Sequence, residues 1–200
     1  MASETSARAI VIATHGRSGI SRWVYGSTAG HLLRHSSTPV LAIGPRVLEK
    51  QRPSPAFTRI LVPLDGSPLS EQAIPVVMTL ATAAKAQVAL VRVVPWATQA
   101  YPYTLPDAYV PQLDTELEKG AQDYLRRHQD ALKSDGDVEA FVVRGAIADG
   151  LLDFIDQHKI DLVVMTTHAR KGLARAALGS VADRVLQGNA PVLLLNPNGS

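Results

Sequence analysis

The stretch Leu162-Val163-Val164-Met165-Thr166-Thr167-His168-Ala169-Arg170-Lys171-Gly172, running on to Gly179-Ser180-Val181, decides how this chain is read. Four apolar residues bounded by Asp161 and by Thr-Thr-His predict a strand buried on both faces, which places the following loop at the carboxyl end of a parallel sheet. Ligands of open α/β sheets bind at such ends. Gly179-Ser180 then opens a helix whose apolar stripe is Val181, Ala182, Val185 and Leu186, with Ser180 placed to cap the free amides of its first turn. A buried strand, a loop of small residues and a helix start form an anion cradle.

The same pattern occurs earlier in the chain. Ile10-Val11-Ile12-Ala13-Thr14-His15-Gly16-Arg17-Ser18-Gly19 leads to Gly26-Ser27, and the two copies stay in register at an offset of 153, the step from Thr14 to Thr167. His15 matches His168, Arg17 matches Arg170, Gly19 matches Gly172, Arg22 matches Arg175 and Gly26-Ser27 matches Gly179-Ser180. After a one-residue deletion, Pro39-Val40-Leu41 matches Pro191-Val192-Leu193. A composition bias does not hold register this long, so the chain carries an internal repeat.

These residues resemble the universal stress protein family. Its fingerprint is Gly, two residues, Gly, nine residues, then Gly-Ser or Gly-Thr. The second copy reads Thr166, two residues, Ala169, nine residues, Gly179-Ser180, and the first reads Ala13, two residues, Gly16, nine residues, Gly26-Ser27. The resemblance spans residues 58–196 as one unit and residues 7–46 as part of another. It implies an open parallel five-stranded, Rossmann-like sheet of order 3-2-1-4-5, preceded by a partial strand-helix-strand repeat. The expected organisation is a partial domain over residues 1–46, a linker over 47–57 and a complete domain over 58–197.

The resemblance further implies a site for an adenine nucleotide, ATP with Mg, where strands 1 and 4 of the complete unit part. Asp65 falls on the position that hydrogen-bonds adenosine. Val93 falls on the position that packs on adenine, Pro63, Met165 and Val181 on further nucleotide-binding positions, Thr166 and Ala169 on those of the two loop glycines, and Gly179 and Ser180 on those that take the terminal phosphates. Read on chemistry alone, Asp65-Gly66 is also an ordinary turn before a helix, and Gly179-Ser180 an ordinary helix start. Ala169 stands where the family has glycine, and if that position takes positive φ its side chain costs roughly 1 kcal/mol or more. In the first copy Gly16, Gly26 and Ser27 make a partial second site that lacks counterparts of Asp65 and Val93. His15 and His168 are read as loop residues, with no residue assigned to catalysis or to a metal.

Composition narrows the remaining classes. Two hundred residues, 46% of them hydrophobic, are enough for a sizeable core, and the absence of cysteine excludes disulfides and thiolate metal sites. Residues 1–59 hold eight Lys or Arg against two acids, and residues 60–200 twelve against sixteen. The early arginines are dispersed without interleaved aromatics, so no nucleic-acid partner is expected. Met1 to Arg8 lacks an apolar core, and no apolar run reaches the roughly 20 residues of a membrane span, so the expected setting is cytoplasmic, away from membranes.

In chain order, the periodicity predicts strands over 9–13, 40–43, 59–65, 88–94, 137–143 and 162–165, with helices from Ser27 to about His35, from about Ser70, from Leu113 to Leu132, from Ala148 to His158 and from Ser180. Gly44 to Ala56 reads as linker, and Pro75 is expected to kink its helix. Residues 95–111, with four prolines and three tyrosines, are too long for a plain connection and are read as functional or as a mobile flap. Both copies end in a Pro-Val-Leu strand, and the family pairs such fifth strands, so Val40 to Ile43 and Val192 to Leu195 are expected to meet antiparallel. Ile10 to Ile12 would then be an open edge, and a homodimer or larger assembly is the expected way of covering it. The leading function is a nucleotide-binding regulatory module of the stress response. The alternatives are a nucleotide-free dimeric scaffold and a slow nucleotide hydrolase.

Overall fold

The computed structural model describes residues 7–14, 27–49, 57–101, 107–167 and 178–196. Seven strands form one sheet: β1 (Ile10–Ala13), β2 (Val40–Ile43), β3 (Arg59–Pro63), β4 (Gln87–Val94), β5 (Val138–Arg144), β6 (Leu162–Thr166) and β7 (Val192–Leu195), in the spatial order β1-β2-β7-β6-β3-β4-β5. From β3 onward, the order is 3-2-1-4-5 as the resemblance implied, and every pairing there is parallel. The sheet is nevertheless larger than the five-stranded one expected. β1 pairs parallel with β2, and β2 joins β7 antiparallel, so the early segment extends the same sheet.

Register explains the join. Val40 faces Leu194, Leu41 faces Leu193 and Ala42 faces Val192. Leu41 and Leu193 are repeat counterparts, so a local pseudo-twofold axis passes between them. Side-chain alternation then sends Val40 and Ala42 to one face and Leu41 to the other. The first face packs Leu33, Val40 and Ala42 with Leu151, Phe154, Ile155, Val185, Leu186 and Leu194. The opposite face packs Ile60, Val62, Leu90 and Leu193 with Val77, Met78, Tyr124 and Leu125. Each face is covered by helices: α4 (Ala73–Ala84) and α6 (Val110–Leu132) on one, α1 (Ser27–His35), α7 (Ile147–Gln157) and α8 (Ser180–Val185) on the other.

The seam is tight at the chain ends of both fifth strands. A Cβ on Gly44 would stand 2.5 Å from the Leu186 carbonyl oxygen, so only glycine fits between β2 and the end of α8. At the matching position of the second copy, Asn196 donates through Nδ2 to the Arg34 carbonyl at 2.8 Å. Each unit therefore grips the end of the other's helix.

Three local expectations are corrected. Residues 45–49, read as linker, form α2 (Pro45–Glu49), because Pro45 stands at the first helical position, where its missing amide is no loss. The helix expected to kink at Pro75 is instead divided into α3 (Pro68–Glu71) and α4, with Gln72 between them. Pro75 then falls in the first turn of α4, where proline is tolerated. Within 95–111, α5 (Ala97–Ala100) and a 3₁₀ turn at Asp107–Tyr109 replace an irregular course among the described residues.

Candidate functional site

The strand ends around β3 and β6 enclose one cavity of ≈ 740 Å³, within the range usual for small-molecule sites. Its wall includes Pro63, Asp65, Val93, Met165, Thr166, Gly179, Ser180 and Val181. These are all of the second-copy site residues expected from sequence except Ala169, which lies outside the described residues together with His168, Arg170, Lys171 and Arg175. Of the partial second site, Gly16 and Gly26 lie outside as well, like His15, while Ser27 opens α1.

Asp65 is positioned by the turn that leaves β3. Leu64 donates its amide to Val91 at 2.8 Å, which continues the β3–β4 pairing one residue past the strand. The Asp65 carboxylate accepts from the Ser67 amide at 2.8 Å, and Gly66 takes φ +88°, a conformation that favours glycine. Ser67, not Asp65, caps α3, its hydroxyl accepting from the Ser70 amide at 3.2 Å. Partial burial pushes the Asp65 pKa up, but the Ser67 hydroxyl and amide and the Ser70 hydroxyl outweigh it, and the net shift is downward. The group is a fixed, ionised acceptor, suited to a hydroxyl or amine donor.

Val93 stands near the end of β4 beside Val143 of β5. Gly150 lets α7 approach them, since a Cβ there would be 3.1 Å from Val93 Cγ1 and 3.2 Å from Val143 Cγ1. The apolar wall is thus set by the closeness of α7 to the sheet.

At the other wall, Gly179 takes φ +101° and stands as the N-cap of α8, with no described residue within 4 Å of where a Cβ would be. Ser180 is the first helical residue and Gly179 the N-cap, which corrects the expected serine cap. The serine side chain is exposed at the cavity instead. Thr167 is 2% exposed, donates its amide to Leu195 at 2.9 Å, and has a buried Oγ1 without a hydrogen-bond partner among the described residues. Its repeat counterpart Thr14 spends the same hydroxyl on the Ile43 carbonyl at 3.3 Å. An unsatisfied buried hydroxyl on a cavity wall fits a polar ligand.

The cavity has a further branch that sequence reasoning missed. Ser67, Ser70, Arg92, Ala100, Tyr101 and Leu117 line its α6 side. Only the length and proline content of 95–111 signalled part of it, and Tyr101 lies there. Below this branch, Arg144 pairs with Asp114, which also accepts from the Ala97 amide at 2.8 Å, and the Arg144 guanidinium lies 4.4 Å from the Trp96 ring centre. That cluster fixes α5 against α6. No helix among the described residues is long and apolar enough to cross a membrane.

A seven-stranded, mostly parallel sheet with a cleft at its 1–4 junction defines an open Rossmann-like α/β class of protein. The sequence profile described as the universal stress protein family matches residues 1–44 and 56–196, and the chain belongs to that family. It is 31% identical over 143 residues to universal stress protein MJ0531 of Methanocaldococcus jannaschii, covering 70% of this chain and 82% of that protein. It is 30% identical over 189 residues to universal stress protein Rv2005c of Mycobacterium tuberculosis, covering 94% of this chain and 61% of that longer protein. Among solved structures, a universal stress protein from Archaeoglobus fulgidus superposes with TM-score 0.70 at 16% identity, covering 98% of this chain and 65% of its own. A universal stress protein in complex with cAMP superposes with TM-score 0.52 at 24% identity, covering 72% of this chain and 99% of its own. At these identities the superpositions speak for the fold.

Proposed function

We propose that this chain is a nucleotide-binding regulatory module whose cavity takes an adenine nucleotide, ATP, between Asp65 and the Thr166 to Ser180 segment. The observation that carries this reading is the convergence of Pro63, Asp65, Val93, Met165, Thr166, Gly179, Ser180 and Val181 on one cavity. Asp65 would accept from the nucleoside, and Val93 and Met165 would pack its base. The Gly179 and Ser180 backbone, with the Ser180 hydroxyl, would meet the phosphates, where Mg would supply countercharge. The Thr167 hydroxyl, without a partner among the described residues, adds a donor at the same wall. The cAMP complex among the structural neighbours is consistent with a nucleotide in this fold.

Titration calorimetry with ATP tests the reading: the wild type is expected to bind with micromolar or weaker affinity, and Asp65→Ala to lose most of it. Unchanged affinity in the variant would place the nucleotide elsewhere, and no heat in the wild type would leave the nucleotide-free scaffold as the better account. In the same reading residues 58–197 form a complete unit and residues 1–46 the later part of another, acting in the cytoplasm.

A homodimer or larger assembly belongs to the same proposal. β1 ends the sheet, and Val11 at its centre is 61% exposed. An open strand edge pairs readily with another, and a charged residue in it opposes that. Val11→Lys is expected to shift the light-scattering mass toward the monomer. A monomeric wild type refutes this part.

A further inference from the structure

We infer that Arg92 makes the cavity selective for adenosine nucleotides that carry a phosphate on the ribose 2′ or 3′ oxygen in addition to the 5′ phosphate. This rests on the reading of the cavity as an adenine-nucleotide site. Arg92 is the one cationic residue among the described residues of the wall. Its guanidinium is clamped from two sides: the Tyr124 ring centre lies 4.9 Å from Cζ, and both terminal nitrogens stand 3.0 Å from where a Gly66 Cβ would be. A side chain on Gly66 would displace it, so the glycine turn and the ring together hold the fork at the wall.

Neither Glu71 nor Asp65 forms an ion pair with this charge. Glu71 accepts from the Tyr124 hydroxyl at 2.9 Å and lies 3.4 Å from His128 Nε2. Asp65 is held by Ser67. Arg92 has neither an ion pair nor a hydrogen bond among the described residues, and it is half-buried at the cavity wall. A preorganised, unpaired guanidinium on a cavity wall is suited to bidentate phosphate binding.

Its position says which phosphate. Asp65 directly precedes Gly66, so the acceptor proposed for the nucleoside and the guanidinium occupy one turn. In dinucleotide sites, an acidic residue meets a free ribose hydroxyl and a nearby arginine accommodates a ribose phosphate. Here the guanidinium lies against the residue that follows the acid, whereas Gly179 and Ser180, proposed for the 5′ phosphates, belong to the start of α8.

Calorimetric titration of the full chain with AMP, adenosine 2′,5′-bisphosphate and adenosine 3′,5′-bisphosphate decides the matter. One bisphosphate is expected to bind about ten- to hundredfold tighter than AMP, and which one identifies the ribose oxygen. In Arg92→Gln the ratio should fall to near one, and in Arg92→Lys, which keeps charge but not the fork, to an intermediate value. Melting curves establish that each variant is folded, and if Arg92→Gln is not, Arg92→Lys decides. A wild-type ratio near one, or a ratio that survives the substitutions, overturns the inference while leaving the nucleotide site intact. Failure of all three probes to bind overturns the inference, and failure of ATP to bind as well overturns the site itself.

Discussion

The docking of the early segment onto the rest of the sheet can be tested at one atom. Gly44 stands where β2 passes the end of α8, and an added methyl would be 2.5 Å from the Leu186 carbonyl oxygen. Carbon-to-oxygen contacts in folded proteins close to about 3.3–3.6 Å, so Gly44→Ala requires roughly 1 Å of separation between two backbone segments. Neither neighbour is the free end of a side chain, and the strain cannot be relieved by a rotamer change. Overpacking of this kind costs about 1–3 kcal/mol. For a chain of this size each kcal/mol lowers Tm by about 2–4 °C, so a drop of about 4–8 °C is expected by circular dichroism for the middle of that range. Gly120→Ala is the control of opposite sign: it lies within α6 with nothing within 4 Å of the added carbon, and should stabilise by about 0.5–1 kcal/mol. A Gly44→Ala protein melting within 1 °C of wild type would refute the packing of β2 against α8.

Two further outcomes follow from the site's surroundings. The Asp65 pKa is lowered from 3.8, so its ionised form is favoured by folding. That stabilisation is present above pH 3.8 and is lost as pH falls through the depressed value, so the stability gap between wild type and Asp65→Asn in urea should narrow as pH falls below 3.8. A gap independent of pH would contradict it. Asp114→Ala leaves Arg144, whose side chain is 13% exposed, without its carboxylate, and removes the acceptor of the Ala97 amide. A loss of about 1–3 kcal/mol is expected in chemical denaturation. That loss should shrink in an Arg144→Leu background, and an unchanged loss there would mean that the pair is not coupled.

Much of this architecture was legible in the sequence because repetition and strand periodicity reinforce each other. The match of Pro39-Val40-Leu41 to Pro191-Val192-Leu193, together with the family's pairing of fifth strands, anticipated the antiparallel seam. The second-copy residues that line the cavity were legible through a resemblance tied to spacing. What escaped reading was tertiary. Pro45 has the same appearance whether it breaks a helix or begins one, and the Cα-level crowding that excludes a side chain at Gly44 has no local signal. Arg92 interrupts an otherwise apolar strand, but only the meeting of β4 with the Gly66 turn and α6 shows that its charge lies on a cavity wall. The difference between Thr14 and its repeat counterpart Thr167 appears only in the fold, where the Thr14 hydroxyl reaches the Ile43 carbonyl and the Thr167 hydroxyl reaches no partner among the described residues.

The antiparallel seam has a thermodynamic consequence. With Leu41 opposite its own repeat counterpart Leu193, the contact has the self-complementary form of a twofold interface between two subunits. Two separate chains meeting in this way would be subject to mass action and would come apart on dilution. A single polypeptide replaces protomer concentration by a local effective concentration, on the order of millimolar for a short tether. The seam therefore persists at dilutions where a bimolecular version would dissociate, and backbone cleavage between residues 49 and 57 would return it to concentration dependence.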